Sequence, residues 1–202
     1  MSYFNDKDIK NIKSFKFDFI QWHEKDHVII ITLDRPNKKN ALHPQMINEI
    51  AFAFQYASYS KNIRALLLKA NGDVFCSGLD LKAIKGDLEK NKSTIPQPNS
   101  KILIGEIFNK LYKPKICQLE GDVYAGGLLL VAGCNYVVSL EDLKLGLPEA
   151  KRGIFPMQVM QSLSKIISFR NVIDWCIRGY NLKVKTAHSW GLISEKIGRA
   201  HV

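Results

Sequence analysis

Three short segments of the chain place glycine beside residues that could take part in catalysis. They are the segments 76–80 (CSGLD), 125–128 (AGGL) and 146–149 (GLPE). Each ends a predicted strand near a possible helix start, where backbone N–H groups lack partners inside the helix. Such N–H groups, with the helix dipole behind them, attract developing negative charge. Two of them from separate strand ends could hold one carbonyl oxygen as an oxyanion hole.

The Gly126-Gly127 pair also has a purely structural interpretation. Glycine lets a ligand oxygen approach the backbone closely, but it equally lets a helix pack closely against its neighbour. Isolated glycine pairs are common, so the residues taken alone favour the packing interpretation. A nucleotide-binding loop does not fit, because Gly127 stands where a GxxxxGK motif needs lysine.

Glu149 is the candidate general base of the third segment. It lies among the apolar residues of the 145–155 region (LGLPEAKRGIF), and an apolar pocket would raise the pKa of its carboxyl group. Lys151 and Arg152 would oppose that shift if their side chains pointed inward. One positioned carboxylate suffices to move a proton between two carbons of a substrate. The alternative is a carboxylate in a turn with a partner on the surface.

Other catalytic chemistries are poorly supported. Cys76 has no evident histidine partner, and a small buried thiol is the better interpretation. Asp80 is expected to cap the helix that follows it. The four cysteines form no CxxC pair and the five histidines no HExxH motif, so we expect buried free thiols and no metal site.

The net charge of +10 permits an anionic partner, either nucleic acid or a small molecule that carries phosphate. The lysines are dispersed and no nucleic-acid-binding motif is present, so we expect no nucleic-acid partner. No apolar run approaches the roughly 20 residues of a membrane span. The N-terminus has no apolar region typical of a secretory signal. A cytoplasmic protein without a membrane partner is therefore expected.

Strands and helices alternate along the chain, which predicts an α/β fold with a single domain over residues 1–202. Residues 1–20 are interpreted as a leader segment of mixed charge, and 86–101 as a mobile surface loop. Strands are predicted at 27–36, 63–70, 115–121 and 135–140, and helices at 43–57, 102–112, 157–167 and 171–178.

Four phrases carry a resemblance to the crotonase, or enoyl-CoA hydratase/isomerase, superfamily. They are ITLDRPNKKNAL (31–42), FCSGLDLKAI (75–84), AGGLLLVAGCN (125–135) and GLPEAKRGIFP (146–156), and they occur in the family's order. The resemblance implies a ββα spiral core and assembly into homotrimers or hexamers. Family members usually continue past the position of Ile197, so the C-terminal helical region is expected to be shortened or absent.

The resemblance also implies a substrate and a mechanism. Family members bind acyl-coenzyme A thioesters and stabilise an enolate with two backbone N–H groups, which match Leu79 and Gly126. Hydratases of the family use two glutamates, and here the first position is Leu129 while the second is Glu149. A single glutamate resembles the Δ3,Δ2-enoyl-CoA isomerase branch. Hydration, decarboxylation or thioester hydrolysis, and a non-catalytic acyl-CoA binder or assembly subunit, stay open as alternatives.

Residues that would contact coenzyme A follow from the same resemblance. Coenzyme A is part of the substrate, so no separate cofactor is expected. Lysines are expected near its phosphates, and the backbone of one family segment near its adenine. The candidates are Lys38, Lys39 and Lys82 for the phosphates, and Ala41 and Leu42 for the adenine.

Overall fold

The computed structural model describes residues 2–198, so Met1 and residues 199–202 of the predicted domain lie outside the described part. Within residues 2–198, ten strands form two sheets, one with the order β1-β2-β3-β5-β7-β10 and the other with the order β4-β6-β8-β9. The strands are β1 (Ile20–Lys25), β2 (Val28–Leu33), β3 (Ala65–Ala70), β4 (Val74–Cys76), β5 (Lys115–Leu119), β6 (Asp122–Tyr124), β7 (Tyr136–Leu140), β8 (Lys144–Gly146), β9 (Asn181–Lys183) and β10 (Glu195–Ile197).

The described part of the chain also contains eight α-helices, and short 3₁₀ turns lie at Ile12–Ser14, Pro36–Lys38, Ala125–Gly127 and Ala150–Arg152. The helices are α1 (Asp6–Lys10), α2 (Pro44–Tyr59), α3 (Leu81–Ile84), α4 (Ile104–Lys110), α5 (Leu128–Gly133), α6 (Met157–Leu163), α7 (Phe169–Arg178) and α8 (Val184–Ser189). The predicted α/β class is confirmed.

Most neighbouring strands run parallel, which fits a chain in which helices connect strands. The antiparallel pairs among the described residues are β1 with β2 and β8 with β9. Strand β2 is the predicted apolar strand, and its residues Ile29, Ile31 and Leu33 are fully buried. Helix α2 begins at Pro44, one residue after the predicted start, because proline suits the first helical position. The ring of His43 caps the helix by accepting the N–H of Gln45.

The N-terminal segment is part of the core, which corrects its interpretation as a leader. Phe4, Ile9 and Ile12 are at most 2% exposed, and the ring of Phe4 packs against the edge of Phe52 in α2. The many lysines and acids of this segment suggested a solvated leader. Its buried apolar residues are few and lie between these charges, in α1 and in the 3₁₀ turn that follows it. The segment therefore covers α2 rather than extending away from the domain.

Residues 86–101 contain no helix or strand, but this loop is attached to the N-terminal segment. The Thr94 N–H donates to the carbonyl of Lys16, and the Lys16 N–H donates to the Thr94 hydroxyl. Ile95 is 6% exposed and joins the core. The loop is thus fixed at its centre, which the polar sequence around Ile95 did not indicate.

The buried thiols are confirmed, because all four cysteines are free and buried. Over residues 2–198 no group of three or more His, Cys, Asp or Glu side chains could hold a metal ion. In that same range no helix is long and apolar enough to cross a bilayer. The cytoplasmic location stays a prediction.

Candidate active site

The smaller sheet brings the three glycine-containing segments to one edge. Strand β6 lies between β4 and β8 and runs parallel to both. Parallel strands end at the same edge of a sheet, so Leu79, Gly126 and Glu149 all follow strands that end there. The sequence predicted the three segments separately, and the sheet order explains why they form one site.

The backbones of Leu79 and Gly126 lie side by side. A Cβ atom built on Gly126 would lie 3.5 Å from the backbone nitrogen of Leu79 and 3.5 Å from its Cγ. Outside helices and strands, no backbone carbonyl of residues 2–198 accepts a hydrogen bond from either N–H group. Gly126 lies in the first turn of its 3₁₀ segment, where N–H groups have no partner inside the helix. Both N–H groups are therefore candidates for the donors of an oxyanion hole, which stays a prediction.

Gly78 allows this close approach. Its φ of +96° lies in the left-handed region, and a Cβ there would lie 2.7 Å from the Cβ of Ala125. Ala125 itself has φ of +51°, a conformation that costs a non-glycine residue free energy. The turn at Gly78 and the turn at Ala125 therefore pack closely against each other, next to the backbones of Leu79 and Gly126.

Leu42 fixes the Leu79 side of this site from the neighbouring segment. Its N–H donates to the carbonyl of Gly78 at 2.8 Å, and its carbonyl accepts the Asp80 N–H at 3.2 Å. Asp80 caps α3, as predicted, by accepting the N–H of Ala83. The guanidinium of Arg35, which is 5% exposed, binds Asp80 at 2.8 Å. The two neighbours of Leu79 in the chain, Gly78 and Asp80, are therefore both hydrogen-bonded to Leu42, and Asp80 is also bound to Arg35.

Gly127 has a different role from Gly126. A Cβ on Gly127 would lie 2.8 Å from the carbonyl oxygen of Cys76, a contact that only glycine avoids. Burial raises the pKa of the Cys76 thiol to about 12, so this cysteine stays protonated and is a packing residue. The packing interpretation thus applies to Gly127, while the oxyanion-hole role of Gly126 stays a prediction.

Glu149 combines burial with an unpaired oxygen. It begins the 3₁₀ turn Ala150–Arg152, and its Oε2 atom is buried without a hydrogen-bond partner in the described part of the chain. Burial raises the pKa of the Glu149 carboxyl group above its ordinary value. Its own backbone N–H and the positive charge of Arg152 oppose the shift. A carboxylate with a raised pKa and a free oxygen is suited to take a proton from a bound molecule.

A cavity of about 630 Å³ joins these groups. Leu79, Gly126 and Glu149 all line it, and so does Leu129, whose side chain is only 6% exposed. The remaining lining residues are Lys39, Val74, Ser77, Leu81, Asp122, Tyr124, Ala125, Pro148, Arg152, Ile154, Phe155, Pro156, Met157, Gln158 and Val159. The wall is mostly apolar with a few polar groups, as is usual for small-molecule sites.

The residues predicted to contact coenzyme A are only partly gathered here. Lys39 lines the cavity, whereas Lys38 and Lys82 are exposed and do not line it. Leu42 is fully buried, and its N–H and carbonyl already bind Gly78 and Asp80. An adenine contact in this segment would therefore use Ala41, which is half-buried. These contacts stay predictions.

Two polar pairs of the structure were not predicted from the sequence, Arg35 with Asp80 and Tyr124 with Asp122. The hydroxyl of Tyr124 donates to Asp122 at 2.8 Å, and both residues line the cavity. Residues two apart on a strand share a face, so the DVY sequence of β6 carried a signal for the second pair. Arg35 and Asp80 are far apart in sequence, and no local pattern indicated their contact.

Comparisons with known proteins identify the family of the chain. The family model described as enoyl-CoA hydratase/isomerase matches residues 23–202. Enoyl-CoA hydratase EchA19 of Mycobacterium tuberculosis is 31% identical over 178 residues, which cover 86% of this chain and 66% of that protein. The 1,2-epoxyphenylacetyl-CoA isomerase of Escherichia coli is 27% identical over 188 residues, covering 89% of this chain and 70% of that protein.

Solved structures give the same result for the fold. An enoyl-CoA hydratase from Mycobacterium tuberculosis superposes with a TM-score of 0.77 at 26% identity, covering 90% of this chain and 70% of that one. An enoyl-CoA hydratase/isomerase from Marinobacter aquaeolei has a TM-score of 0.78 at 21% identity, covering 91% and 72%. The chain spans about 66% of the length of the first curated relatives. On the family model and these likenesses, the chain belongs to the enoyl-CoA hydratase/isomerase family.

Proposed function

We propose that this protein acts on acyl-CoA thioesters and moves a double bond. It removes a proton from one carbon to form an enolate intermediate and returns the proton to another carbon. The observation that carries the proposal is that the backbones of Leu79 and Gly126 and the carboxyl group of Glu149 line the same cavity. The N–H groups of Leu79 and Gly126 are the donors, and Glu149 is the acid–base group. The reaction needs oxyanion stabilisation, which the two N–H groups would supply, and proton transfer, which Glu149 would supply.

The proposed reaction begins with a 3-enoyl-CoA whose thioester oxygen accepts hydrogen bonds from both N–H groups. The Glu149 carboxylate removes a proton from C2, and the electron pair moves into the carbonyl to give a dienolate. The developing charge on oxygen is stabilised by the two N–H donors. The protonated Glu149 then returns the proton to C4, and the carbonyl and a C2–C3 double bond form. No atom is gained or lost, so one carboxylate completes the cycle.

Leu129 favours isomerisation over hydration. Addition of water to a 2-enoyl-CoA is served by two carboxylates, one that activates water and one that supplies the proton at C2. Leu129 lines the cavity at the position where resemblance to hydratases implies the other glutamate. An apolar side chain there cannot activate water, and the other carboxylate of the cavity, Asp122, is already bound to the Tyr124 hydroxyl and the Lys144 N–H.

Hydration is the second candidate, and the comparisons motivate it. Several relatives bear the name enoyl-CoA hydratase, including EchA19. If this chain is also a hydratase, a polar group other than a residue at position 129 must hold the water. Product analysis separates the two reactions, because hydration yields a 3-hydroxyacyl-CoA and isomerisation yields a 2-enoyl-CoA.

The test uses the purified protein with 3-hexenoyl-CoA and 2-hexenoyl-CoA in separate assays. We expect conversion of 3-hexenoyl-CoA to the 2-enoyl isomer, abolished in Glu149→Gln. The control is Glu141→Gln, which changes a carboxylate whose side chain is 59% exposed and lies outside the cavity. Full activity of Glu149→Gln would contradict the proposal. Binding of coenzyme A thioesters without any turnover would identify a non-catalytic binder instead.

Two further features belong to the same proposal. The exposed Lys38, Lys39 and Lys82 are proposed to bind the phosphates of coenzyme A, with Lys39 at the cavity itself. A homotrimer or hexamer is proposed from the family resemblance. Light scattering of the purified protein measures the assembly directly, and a monomer at all concentrations would contradict it.

A further inference from the structure

One polar pair in the cavity has no role in the proton transfer described above. The Tyr124 hydroxyl donates to Oδ2 of Asp122 at 2.8 Å, and Oδ1 of Asp122 accepts the backbone N–H of Lys144 at 2.8 Å. Both side chains are half-buried, and both line the cavity that contains Glu149. The pair is thus fixed by two hydrogen bonds in a wall that is otherwise mostly apolar.

The ring of Tyr124 is positioned by the strand that leads to Glu149. Tyr124 of β6 pairs with Gly146 of β8, three residues before Glu149. A Cβ on Gly146 would lie 2.6 Å from Cδ1 of Tyr124, so the ring occupies the space of the missing side chain. Tyr124 also lies two residues before Gly126. Its side chain therefore extends from β6, which leads to Gly126, over β8, which leads to Glu149.

The hydrogen bonds of the pair determine what it can bind. The only proton of the Tyr124 hydroxyl is already donated to Asp122, so its remaining capacity is to accept. The carboxylate of Asp122 can only accept as well. Burial, the hydrogen bond to Asp122 and the charge of that residue raise the pKa of Tyr124 to about 12, which keeps the hydroxyl protonated near neutral pH. The pair therefore favours a hydrogen-bond donor and disfavours an anionic group.

We infer that Tyr124, oriented by Asp122, is a specificity-determining residue that selects acyl groups carrying a hydrogen-bond donor such as a hydroxyl. This inference rests on the proposed function, because it takes an acyl-CoA as the ligand of the cavity. A hydroxyl on the acyl chain donates to the Tyr124 oxygen, which the hydrogen bond to Asp122 holds in place as an acceptor. An unsubstituted chain leaves this acceptor without a partner and gains only apolar contact with the rest of the wall.

The test measures binding, so that it does not depend on turnover. Dissociation constants are determined by calorimetry for hexanoyl-CoA and for its 3-, 4- and 5-hydroxy derivatives. At least one hydroxylated ligand is expected to bind about three- to tenfold more tightly than hexanoyl-CoA, which is the effect of one net hydrogen bond. Tyr124→Phe keeps the ring over Gly146 and should abolish this advantage, so that the hydroxylated ligands bind no more tightly than hexanoyl-CoA.

A matched control is available in Tyr180→Phe. Tyr180 donates to Asp174 at 3.2 Å in a similar pair that does not line the cavity, so this variant should keep the advantage. The inference is overturned if no hydroxylated ligand binds more tightly, or if the advantage survives in Tyr124→Phe. An equal loss for all ligands in Tyr124→Phe would also overturn it, since the pair would then contact the shared coenzyme A portion. Failure to bind hexanoyl-CoA at all would contradict the proposed function as well.

Discussion

The position that a Cβ would take on Gly126 lies 3.5 Å from the backbone nitrogen of Leu79. This distance is ordinary van der Waals contact, and Gly126 does not have a positive φ. An alanine would therefore fit the fold at this position, but its methyl group would occupy the space between the two N–H donors. Gly126 is thus required by the proposed oxyanion hole and not by the packing of α5.

Gly126→Ala should fold normally and lose activity. Removal of one oxyanion donor costs about 10²–10³ in kcat in other enzymes, and a methyl group in the oxygen's place should cost at least as much. Gly127→Ala is the matched variant, because its Cβ would lie 2.8 Å from the Cys76 carbonyl oxygen. It should lose about 1–3 kcal/mol of unfolding free energy. Thermal unfolding together with kcat separates the two effects, and an unstable Gly126→Ala would refute the division of roles.

Glu149→Gln should make the folded protein more stable near neutral pH. A carboxyl group whose folded pKa is raised costs stability as pH rises through its unfolded value, about 4.3, and the full cost is reached above the folded pKa. Glutamine removes that cost. The gain in unfolding free energy should therefore be present at pH 7 and disappear near pH 4. Urea unfolding at the two pH values measures it, and an equal gain at both would show that charge burial is not the cause.

Arg152→Gln should move the acid limb of the pH–rate profile to higher pH. The positive charge of Arg152 lowers the pKa of Glu149, against the larger effect of burial. Its removal leaves burial less opposed, so Glu149 becomes protonated at a higher pH and loses activity as a base there. The profile of kcat/KM against pH tests this shift. Lys165→Gln, at an exposed position outside this cavity, is the control and should leave the limb in place.

Leu129→Glu should place a carboxylate at the position where resemblance to hydratases implies one. The new side chain replaces one that is 6% exposed, so we expect a loss of stability and a raised pKa for both carboxyl groups by burial and mutual repulsion. Formation of 3-hydroxyhexanoyl-CoA from 2-hexenoyl-CoA should increase relative to Leu129→Gln. If both variants hydrate the substrate no faster than the natural protein, position 129 does not decide between the two reactions.

Glu49 is expected to be a structural carboxylate. It is fully buried in α2 and accepts the N–H groups of Asp18, Phe19 and Ile20 at 2.9–3.0 Å, which fixes the start of β1. Glu49→Ala leaves these donors without a partner and should cost at least about 2 kcal/mol of unfolding free energy. Chemical denaturation measures the loss. Unchanged kcat in the folded fraction would confirm that the effect is structural.

The sequence predicted the elements better than the contacts between them. Helix α2 and strand β2 followed from apolar periodicity and from the position of Pro44, because these signals are local. The contribution of Phe4 and Ile12 to the core was missed, because charged neighbours diluted their apolar pattern. For the site, Leu79, Gly126 and Glu149 were predicted, but only the parallel order of β4, β6 and β8 shows that they meet.

The distinction between Gly126 and Gly127 could not be made from the sequence. Both residues precede the same apolar helix, and their roles differ only because one faces the Leu79 nitrogen and the other faces the Cys76 carbonyl. The role of Tyr124 was not predicted for a similar reason. Its packing over Gly146 depends on the register of β6 and β8, and 19 residues of the chain lie between these two strands. Register and close approach are non-local properties, and local patterns do not encode them in a readable form.

Exchange of the C2 protons of 3-hexenoyl-CoA with solvent deuterium tests the central claim most directly. It reports formation of the enolate that the Leu79 and Gly126 N–H groups are proposed to stabilise and that Glu149 is proposed to generate. Mass spectrometry should show deuterium at C2 with the natural protein and with Arg152→Gln, and almost none with Glu149→Gln or Gly126→Ala. Exchange at the natural rate in Glu149→Gln, or neither exchange nor isomerisation with the natural protein, would contradict the account.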